Sequence, residues 1–175
     1  MYCLCHGNNS YPNVETQSDD CLNPYSVSKV SGEKLCKMYS DLFGLETVVF
    51  RYFNVYGERQ PLRGQYAPVV GIFQKQKSQN SALTIVGDGE QTRDFIHVSD
   101  VAAANILVSE LDVTGVYNVG TGVEYSVNQI ADMISDVQRN IPPRVGEAKR
   151  SLADSSKLRS LGWEPKVKLE EWVNV

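Results

Sequence analysis

The run TVVFRYFNVYG, residues 47–57, decides the fold. From Thr47 to Tyr52 it is mostly β-branched or aromatic, and Gly44 and Gly57 bound it. Side chains of that kind pack well on a pleated surface, so the run reads as a buried strand. Upstream, Asn23 and Pro24 open a helical stretch that runs from Tyr25 to Phe43, with Gly44 as its C-cap. Val27, Val30, Leu35, Met38 and Leu42 fall near helical spacing and are expected to form its apolar face. Before it, Met1 to Asn23 reads as irregular, rich in turn-forming Asn, Ser and Pro.

Downstream, short strands and helices alternate. Gly57 to Tyr66 reads as a loop and Val69 to Gln79 as a helix. Leu83 to Val86 is a strand that ends in the turn Gly87-Asp88-Gly89, and Phe95 to Val98 is a further extended piece. Ser99 is placed to cap a helix from Asp100 to about Glu110. Val116 to Val119 is a second buried strand, closed by Gly120-Thr121-Gly122. Ser126 is expected to cap an amphipathic helix to about Val137, with Ile130, Met133, Ile134 and Val137 on one face. Pro142 to Gly146 breaks the chain, Ser155 to Leu161 is a short helix, and another helix starts at Leu169. Alternation of this kind means α/β.

The bulk numbers bound what such a chain does. It has 175 residues, the size of one ordinary domain, with 42% hydrophobic and 22% charged residues, which is a globular composition. A net charge of −4 disfavours a nucleic-acid or anionic-membrane binder. It leaves room for a small anionic ligand, because a few arginines can clamp phosphate inside an acidic protein. No apolar run is long enough to span a bilayer, and Met1 to Ser10 has no secretory pattern, so a cytoplasmic protein is expected. Cys3, Cys5, Cys21 and Cys36 form no CxxC pair and only two histidines accompany them, so they are read as reduced thiols and no metal site is expected.

Four stretches carry candidate chemistry. In Tyr25-Ser26-Val27-Ser28-Lys29 the Tyr and Lys are one helical turn apart and share a face. An ammonium beside a phenol favours the phenolate, and a phenol tuned in this way can move a proton to or from a hydroxyl. The alternative is an ordinary surface Tyr and Lys. Asn54 follows a buried strand, at the end where open α/β sheets bind ligands, or it is simply a turn residue. Arg93 follows the Gly87-Asp88-Gly89 turn, where its planar fork can clamp a diphosphate; the alternative is a solvated arginine on a surface hairpin. Arg144 can neutralise a second phosphate, and Glu147 can accept from ribose hydroxyls; the alternative is a polar linker between helices. His97, Trp163 and Trp172 are read as packing residues, Gly120-Thr121-Gly122 as a strand-to-loop turn, and the pairs Asp19-Asp20 and Glu170-Glu171 as solvated.

Each signal is weak alone, but their order is specific. The Tyr/Lys helix, then RYFNVYGERQ, IVGDGEQTRDFIHVSDVAAANILV, GVYNVGTG and RVGEAKRSLADSSKLRSLGW, resembles the extended short-chain dehydrogenase/reductase family of NAD-dependent nucleotide-sugar epimerases and dehydratases, from about Asn23 to about Pro165. The resemblance implies an incomplete Rossmann-type doubly wound sheet, its C-terminal half, with a small α/β substrate-binding subdomain. Residues 1–57 and 94–125 would form the first, and 58–93 and 126–175 the second. It makes Tyr25 the catalytic tyrosine and Lys29 the lysine on the nicotinamide ribose. Asn54, Arg93 and Arg144 would contact the sugar-nucleotide diphosphate and Glu147 the nucleotide ribose. The implied reaction is NAD-dependent 4-epimerisation of a UDP-hexose, with dehydratases and decarboxylases as similar alternatives.

Two departures from the family pattern stand out. The family opens with a strand, a GxxGxxG loop and a helix for the NAD pyrophosphate, and this sequence has no such segment, so the N-terminal cofactor half is expected to be missing. Where the family has a Ser or Thr on the reacting hydroxyl, this chain has Tyr2-Cys3-Leu4-Cys5-His6-Gly7. Loss of neighbouring strands implies unpaired apolar edges and marginal stability in isolation. A non-catalytic fragment, and a split enzyme whose cofactor half is another chain, are the competing expectations, and homodimerisation is open.

Overall fold

The computed structural model describes residues 10–17, 20–62, 64, 67–144 and 146–173. The cysteine-bearing stretch Tyr2 to Gly7 lies outside the described residues.

Helix α1, Pro24–Phe43, forms where both ends are locally specified. Asn23 and Ser26 make a reciprocal capping box, Pro24 supplies a helical φ at the first turn, and Gly44 closes the helix at φ 67°. The apolar face expected along α1 is not buried: of its 20 residues only Ser26 and Val30 are. Val27, Leu35, Met38 and Leu42 are all exposed. Helical spacing specifies a stripe, not whether anything covers it.

Strand β1 (Val48–Tyr52) pairs in parallel with β5 (Gly115–Val119), Val48 opposite Gly115 and Tyr52 opposite Val119. At Phe53, which is fully buried, the chain changes partner: its N–H donates to the Val119 carbonyl at 3.0 Å. Beyond it, β2 (Asn54–Tyr56) pairs in parallel with β4 (Thr92–His97). Strand β2 falls in a stretch that carries no strand signal of its own beyond the preceding run. The other half of β4 pairs antiparallel with β6 (Glu124–Ser126), and β3 (Leu83–Val86) pairs in parallel with β7 (Gln138–Ile141).

Helices α2 (Val69–Ser78), α3 (Val98–Ser109), α4 (Val127–Ile134), α5 (Ser156–Arg159) and α6 (Leu169–Val173) complete the alternation. Two expectations about them are corrected. The α3 cap is His97 rather than Ser99: its ring accepts the Ser99 N–H at 3.2 Å. Helix α4 ends at Ile134, and Val137 is exposed next to β7 instead of continuing the apolar face. The strand β7 is polar, QRNI, and gave no alternation to read.

Strand alternation divides the interior. Phe95 faces a core with Tyr56, Val70, Phe73, Leu83, Ile85, Ile130 and Leu169. Ile96, the next residue, faces the other way, into a core with Val101, Ala104, Tyr117, Val119, Leu158 and Trp163. Strand β4 is therefore the partition, and its six residues include five that are buried. Among the described residues no helix is long and apolar enough to cross a membrane.

Candidate functional site

Arg93 sits on this partition strand and is itself buried. The solvated hairpin arginine that the sequence also allowed is thus excluded. Its guanidinium Nη1 donates to the carbonyls of Thr92 (2.8 Å) and Lys149 (3.4 Å). Nη2 lies 3.5 Å from Glu147 Oε1. Burying a guanidinium is costly unless its donors are satisfied and its charge is met, so the arrangement fixes the group in place.

Glu147 and Arg144 lie on the loop after β7 and line a cleft of about 400 Å³ with Gly87, Asp88, Gln91 and Lys149. That volume is in the range of small-molecule sites. Arg144 is exposed and makes no hydrogen bond or ion pair with the described residues. The opposite wall is the Gly87-Asp88-Gly89 turn. Asn140 donates to the Gly87 carbonyl at 2.7 Å and Asn128 to the Asp88 carbonyl at 3.0 Å. Gly89 is required there: its φ is +78°, and a Cβ would fall 1.9 Å from Asn128 Oδ1.

Asn54 is buried at the start of β2, and its Nδ2 donates to the Asp94 carbonyl at 2.9 Å. Tyr25 is half-buried and Lys29 exposed in the first turns of α1, with Lys29 Nζ 5.2 Å from the centre of the Tyr25 ring. The structure therefore brings Arg144 and Glu147 together on one cleft, with Arg93 meeting Glu147 from outside its lining, and Tyr25 and Lys29 together on one helix face. Asn54, Tyr25 and Lys29 do not line that cleft. The two groups are nevertheless close along the backbone: a Cβ on Gly146, between Arg144 and Glu147, would lie 3.3 Å from the carbonyl oxygen of Leu22, just before α1.

The residue that sequence reasoning missed is Asp94. It is fully buried and accepts from Thr121 N–H (2.8 Å), Thr121 Oγ1 (2.8 Å), Gly122 N–H (2.9 Å) and Ala153 N–H (3.1 Å). Burial pushes its carboxyl pKa up, against those hydrogen bonds, which hold it down. The signal available in the sequence was an acid inside the run Arg93 to His97 together with a Gly-Thr-Gly turn whose amides need an acceptor. Gly120-Thr121-Gly122 is a strand-to-loop turn as read, and its N–H groups face an anion that the chain itself supplies.

His97 is buried, stacks edge-on with Tyr56 at 5.2 Å and lies 3.4 Å from Glu58. Trp163 is buried and Trp172 packs on Tyr56. Glu170 is not simply solvated, since it accepts from the Tyr125 hydroxyl. Cys21 and Cys36 are free and half-buried.

A Tyr/Lys pair one turn apart beside a parallel sheet, with Arg144 and Glu147 on a cleft and Arg93 against Glu147, agrees with the extended short-chain dehydrogenase/reductase class that the order of motifs resembles. The chain belongs to the NAD dependent epimerase/dehydratase family, whose model matches residues 5–120. It is 40% identical over 174 residues to a putative UDP-glucose 4-epimerase of Methanocaldococcus jannaschii, covering 94% of this chain and 55% of that protein. To the UDP-glucose 4-epimerase of Mycolicibacterium smegmatis it is 36% identical over 172 residues, with the same coverage. Among solved structures it resembles the UDP-glucose 4-epimerase of Thermotoga maritima with UDP-glucose, at TM-score 0.93 and 37% identity, covering 99% of this chain and 59% of that one. The UDP-N-acetylglucosamine 4-epimerase of Methanobrevibacter ruminantium matches at TM-score 0.91 and 36% identity, with 97% and 57% covered. The chain spans about half the length of the relatives it matches.

Proposed function

We propose that this chain carries the proton-transfer and nucleotide-sugar-binding part of an NAD-dependent UDP-hexose 4-epimerase. The observation that supports the reading is the buried Arg93, held by two carbonyls and 3.5 Å from Glu147, which together with Arg144 lines a cleft of about 400 Å³. A buried, fixed guanidinium and an exposed one suit the two phosphates of a diphosphate. In this reading Glu147 accepts from ribose hydroxyls, and the Asn54 amide, which donates to the Asp94 carbonyl, orients the strand that presents Arg93. Residues 58–93 and 126–175 would then be the substrate-binding subdomain and 1–57 with 94–125 the Rossmann part.

Tyr25 is the proton carrier in this reading. It takes the proton of the sugar hydroxyl as the carbon is oxidised and returns it on reduction. Lys29, on the same face, stabilises the phenolate electrostatically and offers N–H donors to a ribose, so this end of the chain fits the nicotinamide riboside of NAD. The described residues do not fit the NAD pyrophosphate in the same way: the amides of the Gly120-Thr121-Gly122 turn already bind Asp94. When bound, NAD supplies the hydride acceptor and donor for the sugar carbon. Because relatives also include a UDP-glucuronic acid decarboxylase of Danio rerio, 31% identical over 179 residues, the outcome at the sugar carbon is the finer part of the proposal.

The test is UDP and UDP-glucose binding by calorimetry to the wild-type chain and to Arg93→Ala. Loss of charge-assisted hydrogen bonds should weaken binding roughly 10- to 100-fold. Equal affinity of the two proteins would overturn the assignment of the cleft. Proton transfer is tested separately, by supplying NAD and the complementary N-terminal half and comparing turnover with Tyr25→Phe.

A further inference from the structure

Segment 149–154 is strapped between two parts of the molecule. On one side it bonds to β4: Thr92 N–H donates to the Lys149 carbonyl (3.0 Å), Ser151 N–H to the Thr92 carbonyl (3.1 Å), and Asp94 N–H to the Ser151 carbonyl (2.8 Å). On the other it bonds to residue 13: Asn13 N–H donates to the Leu152 carbonyl (2.7 Å) and Asp154 N–H to the Asn13 carbonyl (2.9 Å). Asn118, fully buried, donates to the carbonyls of both Asn13 and Asp154. The strap leads directly back to Glu147 and Arg144. It also abuts the segment that leads into α1.

The Asp94 carboxylate is the point where this strap meets the turn after β5. One of its oxygens accepts from Thr121 twice; the other accepts from Gly122 and Ala153. No cation pairs with it among the described residues. The fit leaves no slack: a Cβ on Gly120 would lie 2.8 Å from Asp94 Oδ2 and 2.5 Å from Ala153 Cβ. An anion satisfied wholly by neutral donors from two other segments costs desolvation and contributes orientation, which is the pattern expected of a group that fixes geometry.

We infer that Asp94 is a positioning residue: its buried carboxylate, bound to Ala153, locks the strap that follows the Arg144–Glu147 loop against the strand that carries Arg93, and so sets the distance from Arg93 to Glu147 on the wall of the cleft. This rests on the proposed diphosphate site for its functional meaning, but the mechanical coupling stands without it. Its carboxylate is enclosed by Thr121, Gly122 and Ala153, so Asp94 acts only through Arg93, Arg144 and Glu147.

Asp94→Asn tests it, because the amide keeps the size but turns an N–H₂ toward two N–H donors. Two readouts are taken on the full chain. The first is hydrogen exchange without ligand. The amides of Thr92, Asp94 and Ser151, which bond across the strap, should exchange about tenfold faster or more, while those of β1 and β5 keep their wild-type protection. The second is UDP affinity measured below the melting temperature of both proteins, which should fall at least about tenfold. Thr121→Val, which removes one of the four donors to Asp94 together with the hydroxyl that accepts the Val123 N–H, should move both readouts in the same direction by a smaller factor. If exchange rises only at residues 121, 122 and 153, and UDP binds as in wild type, Asp94 is a stability residue and the inference fails. If the wild-type chain does not bind UDP, the functional reading fails while the exchange pattern still decides the coupling.

Discussion

Helix α1 and strand β4 are built in opposite ways. The helix is specified locally: a capping box at Asn23, Pro24 in the first turn and a left-handed Gly44 at the end. It then buries only two of its 20 residues and leaves Leu35, Leu42 and Phe43 exposed. The strand has no local device at all, yet five of its six residues are buried and it borders both cores. The group that must sit at a fixed point, the Arg93 guanidinium, is on the strand. The Tyr25 and Lys29 pair is on the helix, whose position relative to the sheet depends on few contacts. A helix holds its own residues in register by backbone bonds, whereas a strand holds its residues only through its neighbours.

The comparison can be broken most sharply at the tether of α1. Arg51 on β1 is buried and binds Glu33 of α1 through two contacts, 3.1 and 2.6 Å, and the Glu15 carbonyl at 3.1 Å. Glu33→Ala removes a carboxylate partner of a buried guanidinium and should cost about 3–5 kcal/mol in denaturant unfolding. A cost below about 1 kcal/mol would mean that the helix is held by something else. Next comes the cap itself. Asn23→Ala removes the acceptor of the Ser26 N–H, 2.9 Å away, and is expected to cost about 1 kcal/mol. Circular dichroism should show fraying confined to the first turn.

A smaller effect separates the strand side. Glu124 of β6 accepts from Arg150 on the strap, and chiefly through that bond its carboxyl titrates below the ordinary 4.5. A depressed folded pKa stabilises the protein above the unfolded pKa, and the contribution is lost as pH falls through the folded value. Glu124→Gln should therefore lower stability at neutral pH by less than about 1 kcal/mol, because Arg150 is solvated. The gap between variant and wild type should close in acid. Persistence of a constant gap down to low pH would show that the pair is not the cause. The smallest effect is expected on the bare face of α1: Leu42 is 68% exposed, so Leu42→Lys should change the melting free energy by no more than about 0.5 kcal/mol. A larger loss would show that this face is covered in solution.

Much of the fold was legible because periodicity and caps are local. The run from Thr47 to Tyr52, the capped helix ending at Gly44 and the strand Leu83–Val86 all stand where the residues put them. What was not legible depends on partners. Strand β7, QRNI, is extended because β3 pairs with it. Val137 is exposed because α4 has already ended. His97 takes the cap that Ser99 was given, since its ring reaches the Ser99 N–H. In the site, the residue types and their order were readable, but not that Arg93 is buried or that Glu147 meets it.

The sequence by itself determined the alternation of elements, the Tyr25–Lys29 spacing and the order of motifs that places the chain in its family. All of these are set by covalent neighbours within one or two turns. Only the tertiary structure decided which face of α1 stays bare, that Arg93 meets the Glu147 that lines a cleft with Arg144, and that the Asp94 carboxylate is enclosed by donors from three separate residues, Thr121, Gly122 and Ala153. The reason is that burial and hydrogen-bond satisfaction are properties of groups brought together from distant positions, and no local period along the chain encodes them.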